Sequence, residues 1–516
     1  MPLYLGVAIL LLVLWAIRAL RRTRLASPGL TGPPVPSFIF GHALDVAQAP
    51  IGTRYNEWEK QYGLTYQLKG PFGKNTLIVN DPKGMNHVLQ GRNYQRNSGD
   101  TELIKICFGH SLFSAEGEEH RMMRKTVSGA LSNQAVHEVS HVFFELAERL
   151  IQSWEQQLDG NESRIFDITP DIHRLTLDAV SMTMFAHDLS DSDIPSILKR
   201  ITHSPPDGPA DVLLKTFVSQ FPIIMKLPSP IKEWCTAFKT SLGAVAKEVW
   251  SGHEAAGMHA KLLDALAKEN VPEEIVIANI IGFIFAGSET TANVIIESIY
   301  ELARNPNIQQ HIQTELAEFE AANGRQPTYE DIINSVHLPY FDAFIKEILR
   351  TKSVLVTISR TAIRDDVIPL QIPAKSADSH QDVHQIPVKA GTLVEIPIRD
   401  GINISETIWG PDAALFDPER WLDSKSTRLP ESVKWVHAQG NTLTFGDGQK
   451  VCLGRSFALA ELKAALISLV RVFRFEEVPG VEFDFYHVGG NTVKPMVRGR
   501  EKEGTQMLLR VCLRMT

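Results

Sequence analysis

One cysteine lies in a loop that is rich in glycine. The segment "FGDGQKVCLGRSFALAELKAALISLV" runs from Phe445 to Val470 and places Cys452 among glycines at positions 446, 448 and 454, just before an apolar helical pattern. The exposed N–H groups and the dipole at a helix N-terminus favour the thiolate form of a cysteine. Glycines also let the backbone pass close to a large group. The spacing therefore directs attention to chemistry at the sulfur.

Three roles fit such a cysteine. A single thiol most often acts as a small buried hydrophobic group. A cysteine nucleophile needs a basic partner, and no His–Asn or His–Asp partnership is recognisable in this sequence. A thiolate ligand of haem iron fits the loop, because Gly448 and Gly454 would let something flat and large lie against the backbone, and such a ligand favours O–O cleavage.

A second segment, "IVIANIIGFIFAGSETTANVIIESIYEL", is apolar nearly all round, which predicts a helix through the centre of the protein. Its middle reads Ala286-Gly287-Ser288-Glu289-Thr290-Thr291. On a structural interpretation the hydroxyl groups bond to carbonyls one turn earlier and Gly287 allows close packing. On a functional interpretation Gly287 admits a bulky cofactor while Glu289 and Thr290 handle protons beside it.

Two pairs of residues have helical spacing. Glu347 and Arg350 are three residues apart and His120 and Arg124 are four apart, so each pair shares one helix face. Exposed pairs of this kind contribute only about a few tenths of a kcal/mol, so Glu347 and Arg350 alone indicate no function. A solvated basic face is the usual explanation for the second pair, although two such donors could also hold a carboxylate.

The elements that must position these residues are mainly helices. Helical periodicity predicts helices at about 137–158, 273–305, 307–322 and 329–351, and a further helix after Gly454. Alternating segments around the turn at 71–74 predict a β-hairpin, and residues 361–398 are typical of short strands and turns. The sequence therefore predicts a mainly α fold with a minor β part.

Composition favours one large catalytic unit. The 516 residues contain no linker, repeat or low-complexity tract, and 44% are hydrophobic, which is ample for a core. A net charge of −8 gives no attraction to nucleic acid. The four cysteines, at 107, 235, 452 and 512, form neither a disulfide framework nor a zinc site, and they favour a reducing compartment.

Residues 1–24 are predicted to be a membrane anchor. The apolar run from Leu3 to Ile17 would reach about 22 Å as a helix, short of the roughly 30 Å bilayer core, but a snorkelling Arg18 extends it to Leu20. A cleaved signal peptide is the alternative; it needs a positive charge before the run and small residues at a cleavage site. Neither feature is convincing here.

Arginines follow the apolar run, so the body of the protein is expected on the cytoplasmic side. The sequons at Asn161 and Asn403 should then stay unglycosylated. Prolines at 33, 34 and 36 predict a stiff hinge over residues 25–40, and residues 41–516 form the predicted catalytic domain.

Taken together, these segments resemble the cytochrome P-450 family of haem-thiolate monooxygenases, of the microsomal type. The family's loop Phe-x-x-Gly-x-Arg-x-Cys-x-Gly is matched by Phe445, Gly448, Lys450, Cys452 and Gly454. Its oxygen-activation segment is matched by residues 286–291, its Glu-x-x-Arg pair by Glu347 and Arg350, and the segment that packs against that pair by "FDPERW", residues 416–421. The resemblance covers nearly everything after the hinge. It implies a single large helical haem domain with small β-sheets, behind an N-terminal transmembrane helix.

The resemblance also implies a role for each residue. Cys452 would be the axial ligand of the iron of haem b, with Phe445 tuning its electron donation, and Thr290 and Glu289 would steer protons during oxygen activation. A buried ionic cluster supporting the haem pocket would consist of Glu347, Arg350 and Arg420. The other residues expected to contact haem are Gly287, Gly448 and Gly454, and, as partners of its propionates, His120, Arg124, Arg360 and Lys450.

Lys450 departs from the family pattern, which usually has arginine two residues before the cysteine. Lysine keeps the charge but loses the bidentate fork, so it should hold a propionate less rigidly. A second departure is "TKSVLVTIS", residues 351–359, which lacks the prolines common after the Glu-x-x-Arg helix.

The intact Glu289–Thr290 pair favours a monooxygenase that inserts one oxygen atom from O2 into a hydrophobic small molecule. No GxGxxG motif lies in a strand–turn–helix context, so electrons are expected from NADPH through a separate membrane-bound cytochrome P-450 reductase. Basic residues such as Lys450 and Arg455 would meet that partner. The expected location is the endoplasmic reticulum membrane, with a single span.

The substrate is expected to be apolar. By analogy with the family, it would contact the stretches Leu103–Phe113, Phe217–Ile224, Ile281–Phe285 and Val354–Ile358. Residues 361–421 resemble fungal members of specialised metabolism, which makes a terpenoid the first choice and a fatty acid or foreign aromatic the second. A haem-thiolate isomerase or ligand sensor that does not consume oxygen is a further alternative.

Overall fold

The computed structural model describes residues 29–188, 208–220, 230–256, 261–269, 271–422, 429–488 and 492–514. The predicted anchor at 1–24, the first residues of the predicted hinge and residues 221–224 of one predicted pocket stretch lie outside these ranges. From residue 29 to residue 40 the hinge forms turns and extended chain. The amide of Thr31 donates to the carbonyl of Lys375 at 3.0 Å, which attaches this segment to the body.

Helices make up most of the described chain. They lie, in order, at Ala43–Gln48 (α1), Arg54–Tyr62 (α2), Pro82–Gln90 (α3), Ser98–Phe108 (α4), Gly117–Ser128 (α5), Asn133–Leu158 (α6), Thr169–Met184 (α7), Pro209–Gln220 (α8), Pro230–Ala256 (α9), Lys261–Lys268 (α10), Glu273–Arg304 (α11), Pro306–Asn323 (α12), Tyr329–Ile333 (α13), Pro339–Thr351 (α14), Glu406–Trp409 (α15) and Arg455–Val472 (α16). The predicted helices at 137–158, 273–305 and 307–322 and the helix after Gly454 are confirmed.

The strands are short. They lie at Thr65–Lys69 (β1), Asn75–Val79 (β2), Tyr94–Gln95 (β3), Ser163–Asp167 (β4), Thr357–Ala362 (β5), Asp366–Lys375 (β6), Asp382–Val388 (β7), Leu393–Pro397 (β8), Phe473–Glu477 (β9), Phe483–Val488 (β10), Thr492–Val497 (β11) and Leu508–Leu513 (β12). The largest sheet has the order β1-β2-β8-β5-β3, and the predicted hairpin is its antiparallel β1–β2 pair, in which Thr65 faces Val79. The mainly α fold with a minor β part is confirmed.

Helix α11 is the centre of the fold. Most of its residues are buried, including Ile280, Ile284 and Ile295, and it packs against α7, α9, α16 and β9. Among the described residues it is the one helix long and apolar enough to cross a membrane, but 67% of its apolar window is buried inside the protein. A helix that is hydrophobic all round is typical of such a core position.

One predicted helix is wrong in extent. Residues 329–351 form two helices, α13 and α14, separated by residues 334–338. Pro339 is the first residue of α14, where a backbone N–H has no acceptor within the helix. The N–H that proline lacks is therefore not needed there. A carboxylate of Glu315 accepts from the amides of Tyr340 and Phe341 at 2.7 and 2.8 Å, which satisfies two of the free donors at this N-terminus.

Candidate haem-thiolate site

The loop before α16 bends tightly around Cys452. Gly446 and Gly448 have φ of +70° and +71°, values that favour glycine, and a side chain at Gly448 would collide with the carbonyl oxygen of Leu89. The amide of Cys452 donates to the carbonyl of Phe445 at 2.8 Å and closes the loop. Gly454 differs, because its φ is −85° and no protein atom lies within 4 Å of where its Cβ would be.

The Cys452 sulfur lies in an electropositive surrounding. Cys452 is exposed, whereas the other three cysteines are buried. Desolvation by the surrounding protein raises the pKa of its thiol overall, and the N–H of Gly454 and the cations of Arg124 and Arg455 oppose that rise. Arg124 is fixed beside the sulfur by a 2.7 Å hydrogen bond from Nη1 to the carbonyl of Val451. The guanidinium of Arg455 lies 5.6 Å from the ring centre of Phe445.

Four cations surround His120 on α5. Burial, and after it the charges of Lys450, Arg124, Arg96 and Arg360, together lower the pKa of His120 to about 4. The structure thus brings together all four residues predicted to bind propionates. Arg96 was not among the predicted residues. It lies in the connection after β3, outside any helix or strand, so no periodic pattern marks it.

Three of these cations, Arg96, Arg360 and Lys450, destabilise one another. Burial lowers the pKa of Arg360 to about 10 and that of Lys450 to about 8, and the charge of Arg96 acts in the same direction on both. Buried cations that repel one another are stabilised by anions placed between them. Two carboxylates would supply that charge, and the propionates of haem are carboxylates. The cluster of cations and the open space beside Gly454 together fit a bound haem.

Lys450 already has partners within the protein. Its Nζ donates to the carbonyl of Ala115 at 2.7 Å and lies 3.1 Å from Glu116 Oε1. Glu116 precedes α5, and its charge also raises the pKa of Arg96 and Arg360. Any propionate at Lys450 therefore meets a neighbouring carboxylate of the protein.

The hydroxyl groups and the glycine in the middle of α11 fit the structural interpretation. The hydroxyls of Ser288, Thr290 and Thr291 donate to carbonyls four residues earlier, at 2.7, 2.9 and 3.3 Å. A side chain at Gly287 would come within 2.7 Å of Val180 on α7. Close packing of α7 on α11 therefore explains this glycine, as the structural interpretation proposed, and the space left by its missing side chain is taken by Val180 rather than by a cofactor.

Glu289 is held on another side of α11. Its Oε1 accepts hydrogen bonds from the Lys494 ammonium group on β11 and from Asn293 Nδ2, the latter at 3.1 Å. Its Oε2 lies 3.5 Å from Nδ1 of His173 on α7. Its polar contacts are therefore with these three residues and not with Thr290. No local pattern marks Lys494, which follows Glu289 by 205 residues.

The predicted ionic cluster is present. Arg350 Nε and Nη2 donate to the two oxygens of Glu347 at 2.8 and 2.6 Å, and both side chains are fully buried. Arg420 Nε lies 3.6 Å from Glu347. The "FDPERW" segment packs there as expected, since the amide of Asp417 and the indole of Trp421 also donate to Glu347, at 3.0 and 2.9 Å.

In the part of the chain that the structure describes, no group of three or more His, Cys, Asp or Glu side chains could hold a metal ion. At Cys452 the structure presents one sulfur beside a cluster of cations. A haem group matches both features, because a thiolate can bind its iron and cations can bind its propionates.

Comparisons with known proteins agree with this geometry. The model of the cytochrome P-450 family matches residues 31–487. The chain is 30% identical to cytochrome P-450 monooxygenase claU of Ampulloclitocybe clavipes and 30% identical to claW of the same organism, each over 97% of this chain and 96% of the relative. It is also 30% identical to cytochrome P-450 monooxygenase 128 of Postia placenta, over 96% of each chain.

Proposed function

The chain belongs to the cytochrome P-450 family and is an oxidoreductase of the monooxygenase class, and from this premise we propose that Cys452 is the axial ligand of a haem b iron. Bound there, haem supplies the activation of O2 for transfer of one oxygen atom to an organic substrate. The observation that carries the assignment is the group of four cations that act on His120, two of which, Arg124 and Lys450, contact or belong to the loop that presents the one exposed cysteine.

The residues of this chain have separate tasks in the proposal. Arg96, Arg124, Arg360 and Lys450 bind the propionates and fix the orientation of the group. Phe445 and Arg455 cover the cysteine side. On α11, the Thr290 hydroxyl, which donates to the carbonyl of Ala286, is the group proposed to pass protons toward the substrate pocket.

The proposed substrate is a hydrophobic small molecule. Two of the predicted pocket stretches meet in a cluster of aromatic rings. The ring centres of Phe108 and Phe285 are 5.4 Å apart, and those of Phe113 and Phe283 are 5.3 Å apart. Phe238 on α9 joins them, 5.9 Å from Phe285. Rings in this arrangement favour apolar guests, since such pockets are lined mainly by hydrophobic side chains. Within that class we propose a terpenoid, because residues 361–421 resemble fungal members of specialised metabolism and the relatives named above are fungal proteins that cover 96–97% of the chain; a fatty acid or a foreign aromatic is the second candidate.

Two further elements complete the proposal. Electrons come from NADPH through a separate reductase, because the described chain shows no nucleotide-binding motif of its own. Residues 1–24 hold the protein in the endoplasmic reticulum membrane with its catalytic domain in the cytoplasm, as the arginines after the apolar run indicate.

The test is NADPH-dependent oxygen uptake in microsomes that contain the protein and a fungal-type reductase. Terpenoids, fatty acids and aromatics are added as a panel, and mass spectrometry detects the gain of one oxygen atom. The proposal predicts a product that disappears in Cys452→Ser and falls strongly in Thr290→Ala. A substrate converted without oxygen uptake would favour an isomerase instead.

A further inference from the structure

Two cysteines that are far apart in the sequence meet in the core of the protein. Cys107 lies near the end of α4 and Cys235 lies in α9, and their thiol groups are hydrogen-bonded to each other. Both are free thiols, and the two residues are 7% and 0% exposed. A buried free cysteine usually packs as a small hydrophobic group, and a thiol is only a weak hydrogen-bond donor. Contact between two of them therefore adds little stability and calls for another explanation.

Neighbouring contacts hold the two elements together at the same place. Helix α4 packs against α9. The ring centres of Phe108 and Phe238 are 5.7 Å apart, and a side chain at Gly109 would come within 3.6 Å of Lys239 Cε. These contacts continue the one between the thiols, because positions three and four apart lie on one face of a helix. The two sulfurs are thus brought together by a well-packed junction between α4 and α9.

We propose that Cys107 and Cys235 are a reversible oxidation site, in which hydrogen peroxide joins them in a disulfide that ties α4 to α9. Cys107, the less buried of the two, loses its proton, and its sulfur attacks one oxygen of the peroxide. The O–O bond breaks, which leaves a sulfenic acid and, with that proton, a water molecule.

The second step forms the cross-link. The Cys235 sulfur attacks the sulfenic sulfur of Cys107, and the S–O bond breaks. The hydroxide that leaves takes up the proton of the Cys235 thiol and becomes water. The pair of electrons that the two sulfurs lose has reduced the peroxide. Glutathione reverses the modification by thiol–disulfide exchange.

The contact explains why the site is normally reduced and yet able to respond. The hydrogen bond with Cys235 and, after it, burial raise the pKa of the Cys107 thiol. Since the thiolate is the reactive form, oxidation is slow and both thiols stay free in a reducing compartment. Sulfurs that are already adjacent can be bridged with little movement of the backbone. The site therefore responds to sustained oxidation and not to traces of peroxide.

The cross-link would lie beside the aromatic cluster that is proposed to bind the substrate. Phe108 follows Cys107 directly, and its ring centre is 5.4 Å from that of Phe285 on α11. A bond between α4 and α9 would keep these rings from moving apart, so apolar guests should enter and leave more slowly. This consequence rests on the proposed function, whereas the cross-link itself does not.

The test treats the haem-loaded protein with hydrogen peroxide and, in a parallel sample, with diamide, a thiol oxidant that is not a peroxide. The protein is then denatured, its free thiols are alkylated with N-ethylmaleimide, and a tryptic digest is analysed by mass spectrometry without reduction. We expect residues 106–121 and 233–239 as one linked peptide pair, lighter than the two peptides together by the two thiol hydrogens. Treatment with glutathione before alkylation should remove the pair.

Variants show whether the link has the expected effects. Cys107→Ala and Cys235→Ala should lose the linked pair, whereas Cys512→Ala, which removes another buried cysteine, should keep it. Oxidised wild type should melt about 3 °C above its reduced form. It should also bind 1-phenylimidazole, an apolar ligand of haem iron, several-fold more slowly. Both differences should vanish in Cys107→Ala, where each oxidised sample is compared with its own reduced form, so that lost packing does not affect the comparison.

Each contrary result has a separate meaning. Recovery of both peptides in alkylated form after either oxidant, or a link from Cys107 to another cysteine, would overturn the oxidation site. A linked pair with the same rate of 1-phenylimidazole binding in oxidised and reduced protein would overturn its effect on the pocket. The peptides are detected without substrate or reductase, so a failure of oxygen uptake would count against the proposed function and not against the cross-link.

Discussion

Glu347 and Arg350, three residues apart on α14, meet through two parallel hydrogen bonds with neither side chain exposed to solvent. Arg350 also donates to the carbonyls of Asn403 and Ala413, at 2.9 and 2.6 Å. It thereby connects α14 to the chain segments on either side of α15. The pair acts as a junction between the helical core and the long connection that leads to the cysteine loop.

Replacement of Arg350 by methionine is expected to prevent stable folding of the haem domain. It leaves the Glu347 carboxylate buried without its main partner, and breaking a buried pair in this way costs about 3–5 kcal/mol. The measurement is the free energy of unfolding together with the yield of haem-loaded protein. Arg121→Met is the matched control, because Arg121 pairs with Glu118 at the same spacing but both side chains are exposed; it should leave the free energy of unfolding nearly unchanged. Equal losses in the two variants would contradict the role of the junction.

Haem retention is expected to depend on Lys450 and Arg96. Lys450→Ala should speed the transfer of haem to apomyoglobin, while Lys450→Arg should leave it unchanged or slow it, because arginine adds a bidentate fork for the propionate. Arg96→Ala should also speed transfer, since Arg96 lies within the same cluster. The control is Arg92→Ala, an exposed arginine four residues earlier. Identical transfer rates in all these variants would rule out the cation cluster as the propionate site.

The binding of haem is expected to weaken above about pH 8. Burial lowers the pKa of Lys450 to about 8, so its ammonium charge is present below that pH and is lost above it. An anion must then bind together with a proton, and its affinity falls as pH rises. Stability of the haem-free fold changes in the opposite direction between about pH 8 and 10.5, since the unfolded lysine binds more protons there. Haemin titrations of the haem-free protein should show this fall in affinity for wild type and a flatter profile for Lys450→Arg; the same profile for both would contradict it.

Of the two sequons, Asn161 reports the side of the membrane and Asn403 does not. Asn403 is fully buried and donates to Thr444 Oγ1 at 3.0 Å, whereas Asn161 is exposed. Endoglycosidase treatment should therefore cause no mobility shift in the full chain. A fusion in which a cleavable signal peptide replaces residues 1–24 should shift, and Asn161→Gln should abolish that shift. A shift in the full chain that is lost in Asn161→Gln would place the domain in the lumen.

Structural features that depend on residues close together in the sequence were predictable from local patterns. The apolar periodicity of α11, the alternation of β1 and β2 and the glycine loop around Cys452 each depend on residues close in sequence, and the structure has them as expected. The pair Glu347–Arg350 is local as well, but its burial follows from chain segments more than fifty residues away, and only the family resemblance indicated it.

Contacts between distant segments were not predictable in the same way. Lys494 meets Glu289 across 205 residues, and Lys450 meets Ala115 across 335, so neither partner leaves a pattern in its own neighbourhood. The same holds for Val180, which occupies the space beside Gly287. The break between α13 and α14 had a local signal, Pro339, but the apolar pattern continued across it.

Binding of haem iron by the Cys452 sulfur as a thiolate is tested most directly by the absorption spectrum of the reduced, carbon monoxide-bound protein. A thiolate-type long-wavelength Soret band is expected in the wild type and in the control Cys107→Ser, whose thiol is buried. The same band should be missing from Cys452→Ser even where that variant retains haem. A Cys452→Ser protein that keeps the thiolate-type band would contradict the assignment.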